Sequence, residues 1–149
     1  MRKISSRAII DELYSIQHPE PVMTIYEQIQ NAIEFIENNL SENIKCAETA
    51  WESNMSERSF INYFSCVTGF SFKQYLMKRR LSRSVELLCD DKLQVVDVAL
   101  ESGYETHESF TRAFRKEFGI VPVDIKNDPD KRKGLRITEK LQLIKEMYM

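Results

Sequence analysis

The chain has 149 residues, 42% of them apolar, and its 21 Lys and Arg face 23 Asp and Glu for a formal net charge of −2. That is enough length for one domain with a real core, too apolar for a disordered chain, and awkwardly acidic for a partner of phosphate. No run approaches the roughly 18 apolar residues of a membrane-spanning helix, and residues 1–20 lack the apolar centre of a signal peptide.

Cys46, Cys66 and Cys89 are odd in number and form no Cys-x-x-Cys pair. This argues against a disulfide framework or a structural zinc and for a reduced, cytoplasmic protein. Four glycines and four prolines sit at element ends, so the expected class is all-α. Near the start, Ile9, Leu13 and Ile16 fall at i, i+4, i+7 behind a cap at Ser5 or Ser6. The resulting amphipathic helix either covers the domain's own core or binds a partner. The linker His18–Pro21 follows it.

Thr24 and Glu27 form a capping box, and behind them Ile25, Ile29, Ile33, Ile36 and Leu40 make a buried stripe ending near Asn38-Asn39. The acids of this helix lie on its outside, which makes it scaffold. A helix over about 45–52 gives Ala50 to a close crossing and Trp51 to the core. Asn54 then turns the chain, and Ser56 caps a helix over about 56–67 with Phe60 and Phe64 inward. At 100° per residue, Arg58, Asn62 and Ser65 point outward with Ile61 on the flank. Gly69 ends the helix. A long helix over about 71–89 buries Tyr75, Leu76, Leu81, Leu87 and Leu88; at 1.5 Å per residue it is ~27 Å long.

Val95 to Pro122 repeats the earlier pattern. Val95, Val98 and Ala99 share one helical face, Gly103 turns the chain, and Thr106 caps a helix over about 106–117 with Phe110, Phe114 and Phe118 as its stripe. Gly119 and Pro122 stop it. Ala50 and Asn54 precede Ala99 and Gly103 at the same spacing of four, while Ser56, Phe60, Phe64 and Gly69 recur fifty residues on as Thr106, Phe110, Phe114 and Gly119. Such fixed-period self-similarity marks two copies of one unit, here a helix-turn-helix.

The pattern Val95-x-Asp97-Val98-Ala99-x3-Gly103-Tyr104-x5-Phe110-x-Arg112-x-Phe114-Arg115-Lys116-x2-Gly119-x2-Pro122 resembles the signature of the AraC/XylS family of bacterial transcription regulators. The upstream copy, with Tyr75, Arg80-Leu81 and Leu87-Leu88, resembles that family's first helix-turn-helix and linking helix. The resemblance runs from about Thr24 to Lys126. It implies about seven helices, with two helix-turn-helix lobes (about 24–72 and 94–126) bridged by one long helix and facing the same side of DNA. It also implies an activator, and it makes Arg80 a structural ion-pair partner. Thr49, Ser84 and Ile125-Lys126 depart from the family's usual large aliphatic, alanine and aromatic-arginine residues.

Residues 24–55 carry six acids against one base, whereas residues 56–84 carry Arg58, Lys73, Lys78, Arg79, Arg80 and Arg83 against Glu57, a net +5. Residues 94–119 hold five acids and three bases, a net −2. Phosphate contacts are therefore expected from the first lobe and the bridge: Ser56, Ser65, Lys73, Lys78 and Arg79, with Thr106 and Arg115 from the second. Expected base contacts are Arg58, Ile61 and Asn62 in one groove and His107, Glu108, Ser109 and Arg112 in the next. Arg suits guanine, Asn adenine, Glu cytosine N4 and an exposed Ile a thymine methyl.

No nucleophile–base–orienter set or phosphate-cradling glycine loop is present, so no enzyme and no cofactor is expected. Asp128-x-Asp130 has calcium-loop spacing, but Pro129 and Lys131-Arg132-Lys133 oppose it. After this polar linker, Ile137, Leu141, Ile144 and Tyr148 form a helical stripe that would dock on the domain, dimerise, or lead into a further domain. The expected function is a sequence-specific DNA-binding regulator on asymmetric double-stranded DNA, with RNA polymerase as a second partner and dimerisation through the terminal helices. The competing reading is a helical adaptor that docks on RNA polymerase or another regulator with weak or no DNA binding.

Overall fold

In the computed structural model, residues 5–17 and 22–143 are described, apart from the side chains of Tyr14, Ser15 and Gln17. The expected linker His18–Pro21 and the positions Ile144 and Tyr148 lie outside them. Eight α-helices follow in order: α1 Ser6–Gln17, α2 Ile25–Asn38, α3 Cys46–Glu52, α4 Glu57–Thr68, α5 Phe72–Leu88, α6 Val95–Glu101, α7 His107–Phe118 and α8 Pro122–Asn127. A 3-10 turn, Pro129–Gly134, comes next.

Local chemistry sets these bounds. Ser5 Oγ accepts from Ala8 N–H at 3.2 Å to start α1. Thr24 and Glu27 close their box reciprocally, at 3.1 and 3.2 Å. Ser56 and Thr106 cap α4 and α7 through the N–H groups of Ser59 and Ser109. Both helices end on a left-handed glycine, Gly69 at φ 79° and Gly119 at φ 77°. The turns before them use Asn54 (φ 57°) and Gly103 (φ 81°). The internal repeat is thus a repeat of backbone conformation as well as of residues.

Two cores result. Ile29, Ile33, Ile36 and Leu40 of lobe one close over Phe60 and Phe64, with Tyr75 and Leu76 from the first half of α5. In lobe two, Val98, Phe110, Phe114 and Ile125 close over Leu81, Val85 and Leu88 from its second half. One continuous helix therefore belongs to both cores, while the remaining helices of the two lobes make only glancing contact with each other.

The close crossings tolerate hydroxyls because the helix's own carbonyls satisfy them. Thr49 Oγ1 donates to Lys45 O and Ser84 Oγ to Leu81 O, at 3.0 and 2.6 Å. These are the two positions where the resemblance leads one to expect an aliphatic residue and an alanine.

Five expectations need correction. Trp51 is 80% exposed, because the crossing of α3 is made by Thr49 and Ala50 instead. Ile25 is exposed at the first turn of α2, and Leu87 is only half-buried. Ile9, Leu13 and Ile16 are all exposed, so they do not cover the domain's core. Leu135–Leu143 is not helical. Its N–H groups bond to side chains of α2 and α5 rather than to carbonyls four residues back.

Gly103 is the tightest point. A Cβ there would lie 2.8 Å from both Arg80 Nε and Leu40 O, whereas nothing lies within 4 Å of one at Gly69 or Gly119. Gly69→Ala and Gly119→Ala should therefore cost only the left-handed penalty, about 1–2 kcal/mol. Gly103→Ala adds a clash with backbone and should cost about 2–4 kcal/mol. Urea midpoints at unchanged slope would test this ordering; equal losses at the three sites would refute it.

Candidate nucleic-acid interface

The candidate interface is built from the outward faces of α4 and α7, each started by a hydroxyl cap and stopped by a glycine. On α4, burial of Phe60 and Phe64 leaves Arg58, Ile61, Asn62 and Ser65 exposed, with Ile61 at 50%. Glu57, Arg58, Ile61 and Asn62 line one open surface depression. Glu57 was not expected there. Its position in the first turn, where a carboxylate meets the positive end of the helix dipole, was the available signal. On α7, His107, Glu108, Arg112 and Arg115 are exposed around the buried Phe110 and Phe114.

Ser109 and Thr106 are differently placed. The Thr106 hydroxyl donates to Ser109 Oγ at 2.9 Å and accepts from Ser109 N–H, while Ser109 Oγ donates to Thr106 O. Both hydroxyl protons are spent inside the cap. Ser56 accepts from Ser59 N–H, which leaves its own proton available.

The bridging cations fan out. Lys78, Arg79 and Arg80 are consecutive on α5, so successive side chains leave the helix about 100° apart, and each finds a different element. Lys78 Nζ lies 2.8 Å from Glu117 of α7. Arg79 is nearly buried, forks onto both carboxylate oxygens of Glu37 on α2, at 3.0 and 2.6 Å, and also donates to Thr138 O. Burial alone would lower the pKa of Arg79, but the Glu37 carboxylate outweighs it and the net direction is upward. Arg80 donates to Leu40 O and Glu42 O just past the end of α2, and burial lowers its pKa.

Arg79, expected at phosphate, is therefore an internal cation. Arg80, expected in an ion pair, instead binds carbonyls. Lys78 reaches solvent only in part. Lys73 is exposed in the first turn of α5. Among the described residues no helix is long and apolar enough to span a membrane, and no group of three His, Cys, Asp or Glu could hold a metal ion.

Two capped helices with outward polar faces, each preceded by a crossing helix and a left-handed turn, and both packed on one bridge, define a protein of the double helix-turn-helix class. The chain belongs to the AraC/XylS family: the model for its helix-turn-helix domain matches residues 49–128. The virulence regulon transcriptional activator VirF of Yersinia enterocolitica is 32% identical over 88 residues, which cover 59% of this chain and 32% of that protein. The chain thus spans about a third of the length of the first curated relatives it matches.

The fold is shared with a transcriptional regulator from Chromobacterium violaceum that carries an AraC-type DNA-binding domain (TM-score 0.64, 22% identity, 72% of this chain and 93% of that one). It is also shared with the DNA-binding domain of AdpA in complex with a target DNA (TM-score 0.65, 23% identity, 71% and 96%).

The placement of the cations makes separable predictions. Arg79→Ala strands Glu37 and should destabilise the fold by on the order of 3 kcal/mol, without changing the salt dependence of any DNA binding. Lys73→Ala should leave stability unchanged and flatten the slope of log affinity against log salt by about 1. Urea melts and salt titrations on the two variants would test both; a flattened slope for Arg79→Ala would return that residue to the DNA surface.

Proposed function

We propose that this chain is a sequence-specific DNA-binding transcription regulator of the activator type, cytoplasmic and without catalytic activity. In this reading α4 and α7 enter successive major grooves of an asymmetric site. The observation that carries it is the duplicated head: cap, inward phenylalanine pair, left-handed glycine and outward polar face occur on both α4 and α7, whose cores share α5.

Arg58, Ile61 and Asn62 read bases in the first groove; Arg112, Glu108 and His107 read the second. Ser56, Ser65, Lys73 and Arg115 meet phosphate. Ser109 and Thr106 shape the second head through their cap and contribute little donor capacity of their own. Lys78 reaches phosphate only by leaving Glu117. RNA polymerase is the second partner of such an activator, and dimerisation would use the exposed stripe of α1.

Of the six bases in residues 56–84, Lys78, Arg79 and Arg80 are engaged internally, and Arg83 is half-buried beside Glu37, Glu86 and Glu139. Non-specific affinity should accordingly be low. The log–log salt slope should be about −2, as for the two phosphates met by the cations Lys73 and Arg115. The same observation favours the adaptor reading, in which Trp51 and the acidic faces dock on protein.

Selection from a random duplex library, followed by sequencing of the bound fraction, decides between them. Two short half-sites about one turn, ~10 bp, apart are expected. Arg112→Ala should cost ~1–3 kcal/mol and relax preference at one or two positions of the second half-site. Glu108→Gln should bind random duplex more tightly while discriminating less. No enrichment by the wild type would leave the adaptor reading.

A further inference from the structure

Past the helix-turn-helix region the chain lies back over both lobes as an extended segment. Leu135 and Ile137 pack on the core of lobe two, and Leu141 and Leu143 on that of lobe one. Between these anchors the backbone is held by side chains. Thr138 N–H donates to Ser82 Oγ at 2.9 Å, Leu141 N–H to Tyr75 OH at 3.0 Å and Leu143 N–H to Gln30 Oε1 at 2.9 Å. Arg79 donates to Thr138 O, and Lys140 Nζ sits 2.7 Å from Glu34.

The partners form a pattern. Tyr75, Arg79 and Ser82 are spaced i, i+4, i+7 on α5, and Gln30, Glu34 and Glu37 are spaced identically on α2. Each set is one helical stripe, and the Arg79–Glu37 pair ties the two stripes together. Two helices thus present matching polar rows to one segment. A merely trailing tail would not meet buried Ser82 and Tyr75 hydroxyls at hydrogen-bond distance.

Such a segment answers a mechanical need. Besides sharing α5, the lobes meet where the Gly103 turn lies against Arg80 and Leu40, a small contact about which a bend in that helix would let one head rock against the other. Moving a half-site by one base pair rotates it about 34° around the DNA axis, so heads free to rock would tolerate misplaced half-sites. We infer that residues 135–143 are a clasp that fixes the angle between the two heads and thereby the half-site spacing the protein accepts. This rests on the DNA-reading function proposed above.

The test releases the clasp in the full chain. Thr138→Pro with Lys140→Glu removes the donor to Ser82 and sets two carboxylates against each other, without touching α4 or α7; Lys140→Glu alone is the milder variant should the double one misfold. Fast amide exchange at Leu141 and Leu143 with retained ellipticity certifies release. Head-to-head distance is read by spin labels at Tyr63→Cys and Lys116→Cys, with Cys46, Cys66 and Cys89 changed to serine.

The expected result is a narrow distance distribution with the clasp intact and a clearly broadened one after release. Duplexes with half-sites displaced by one base pair should bind the wild type about 10-fold more weakly than the best-spaced site, and release should remove most of that penalty while weakening the best-spaced site several-fold. An unchanged distribution in a released chain overturns the inference, whether or not any duplex binds. So does a broadened distribution with the wild-type spacing penalty. Broadening in a protein whose wild type selects no duplex supports the clasp and overturns the DNA reading alone.

Discussion

The guanidinium of Arg80 stands between the two lobes, and the geometry of the domain depends on it. It leaves the middle of α5, bonds to the carbonyls of Leu40 and Glu42 just past the end of α2, and leaves room beside it only for a residue without a Cβ, Gly103. A helix end exposes carbonyls that its own N–H groups cannot reach, and here a cation from another helix satisfies carbonyls of this kind. Gly103 is at once the left-handed turn of the second head and the surface against which the first is latched. A single contact thus joins the end of α2, the bridge and the turn before α7. Burial lowers the pKa of Arg80, yet an arginine stays charged far above neutral pH, where a lysine in the same place would be easier to neutralise.

Its neighbours extend the same logic. Three consecutive cations on a helix read in isolation as a solvated basic patch, but rotation by 100° per residue sends them to α7, to α2 with the C-terminal segment, and to the loop after α2. Each lobe alone is a handful of short helices around two phenylalanines, below the size at which a core stabilises itself comfortably. Sharing α5 and cross-linking it with charge lets two marginal units fold as one. The basic excess that composition assigns to the DNA surface is therefore largely structural.

Much of this was legible in the residues. Caps, left-handed turns and inward phenylalanines depend on local chemistry, so Thr24, Ser56, Thr106, Asn54, Gly69, Gly103 and Gly119 could be placed without knowing what surrounds them. The outward sets on α4 and α7 followed from the same helical arithmetic. What failed depended on neighbours. Arg79 goes to Glu37 and not to phosphate, and Arg80 keeps the structural role that the resemblance implies but with carbonyls as its partners, because spacing gives an angle around α5 and not the element that waits there. Trp51 was placed inside on hydrophobicity alone, although Thr49 and Ala50 already filled the crossing. The stripe Ile137, Leu141 fits a helix as well as it fits a strap with alternating anchors, and side-chain acceptors on α2 and α5 decided for the strap. The closed hydroxyl cap of Thr106 and Ser109 is likewise invisible until both rotamers are seen.

With most bridging cations committed inward, the remaining exposed charge has a different meaning on each head. The first presents Arg58 and Asn62 around an exposed Ile61, with Glu57 at the rim of the same depression. The second presents Arg112 and Arg115 against Glu108. On both, a carboxylate in the first turn is favoured by the helix dipole and opposes phosphate. Carboxylates so placed weaken attachment to arbitrary duplex more than attachment to a site offering a cytosine amino group or well-aligned guanines, because only the latter returns hydrogen bonds for the repulsion. The net charge of −2 then fits a DNA reader better than it first suggests. A chain that clings poorly to phosphate must rely on both heads matching at once, and that reliance is worth having only if the angle between the heads is held.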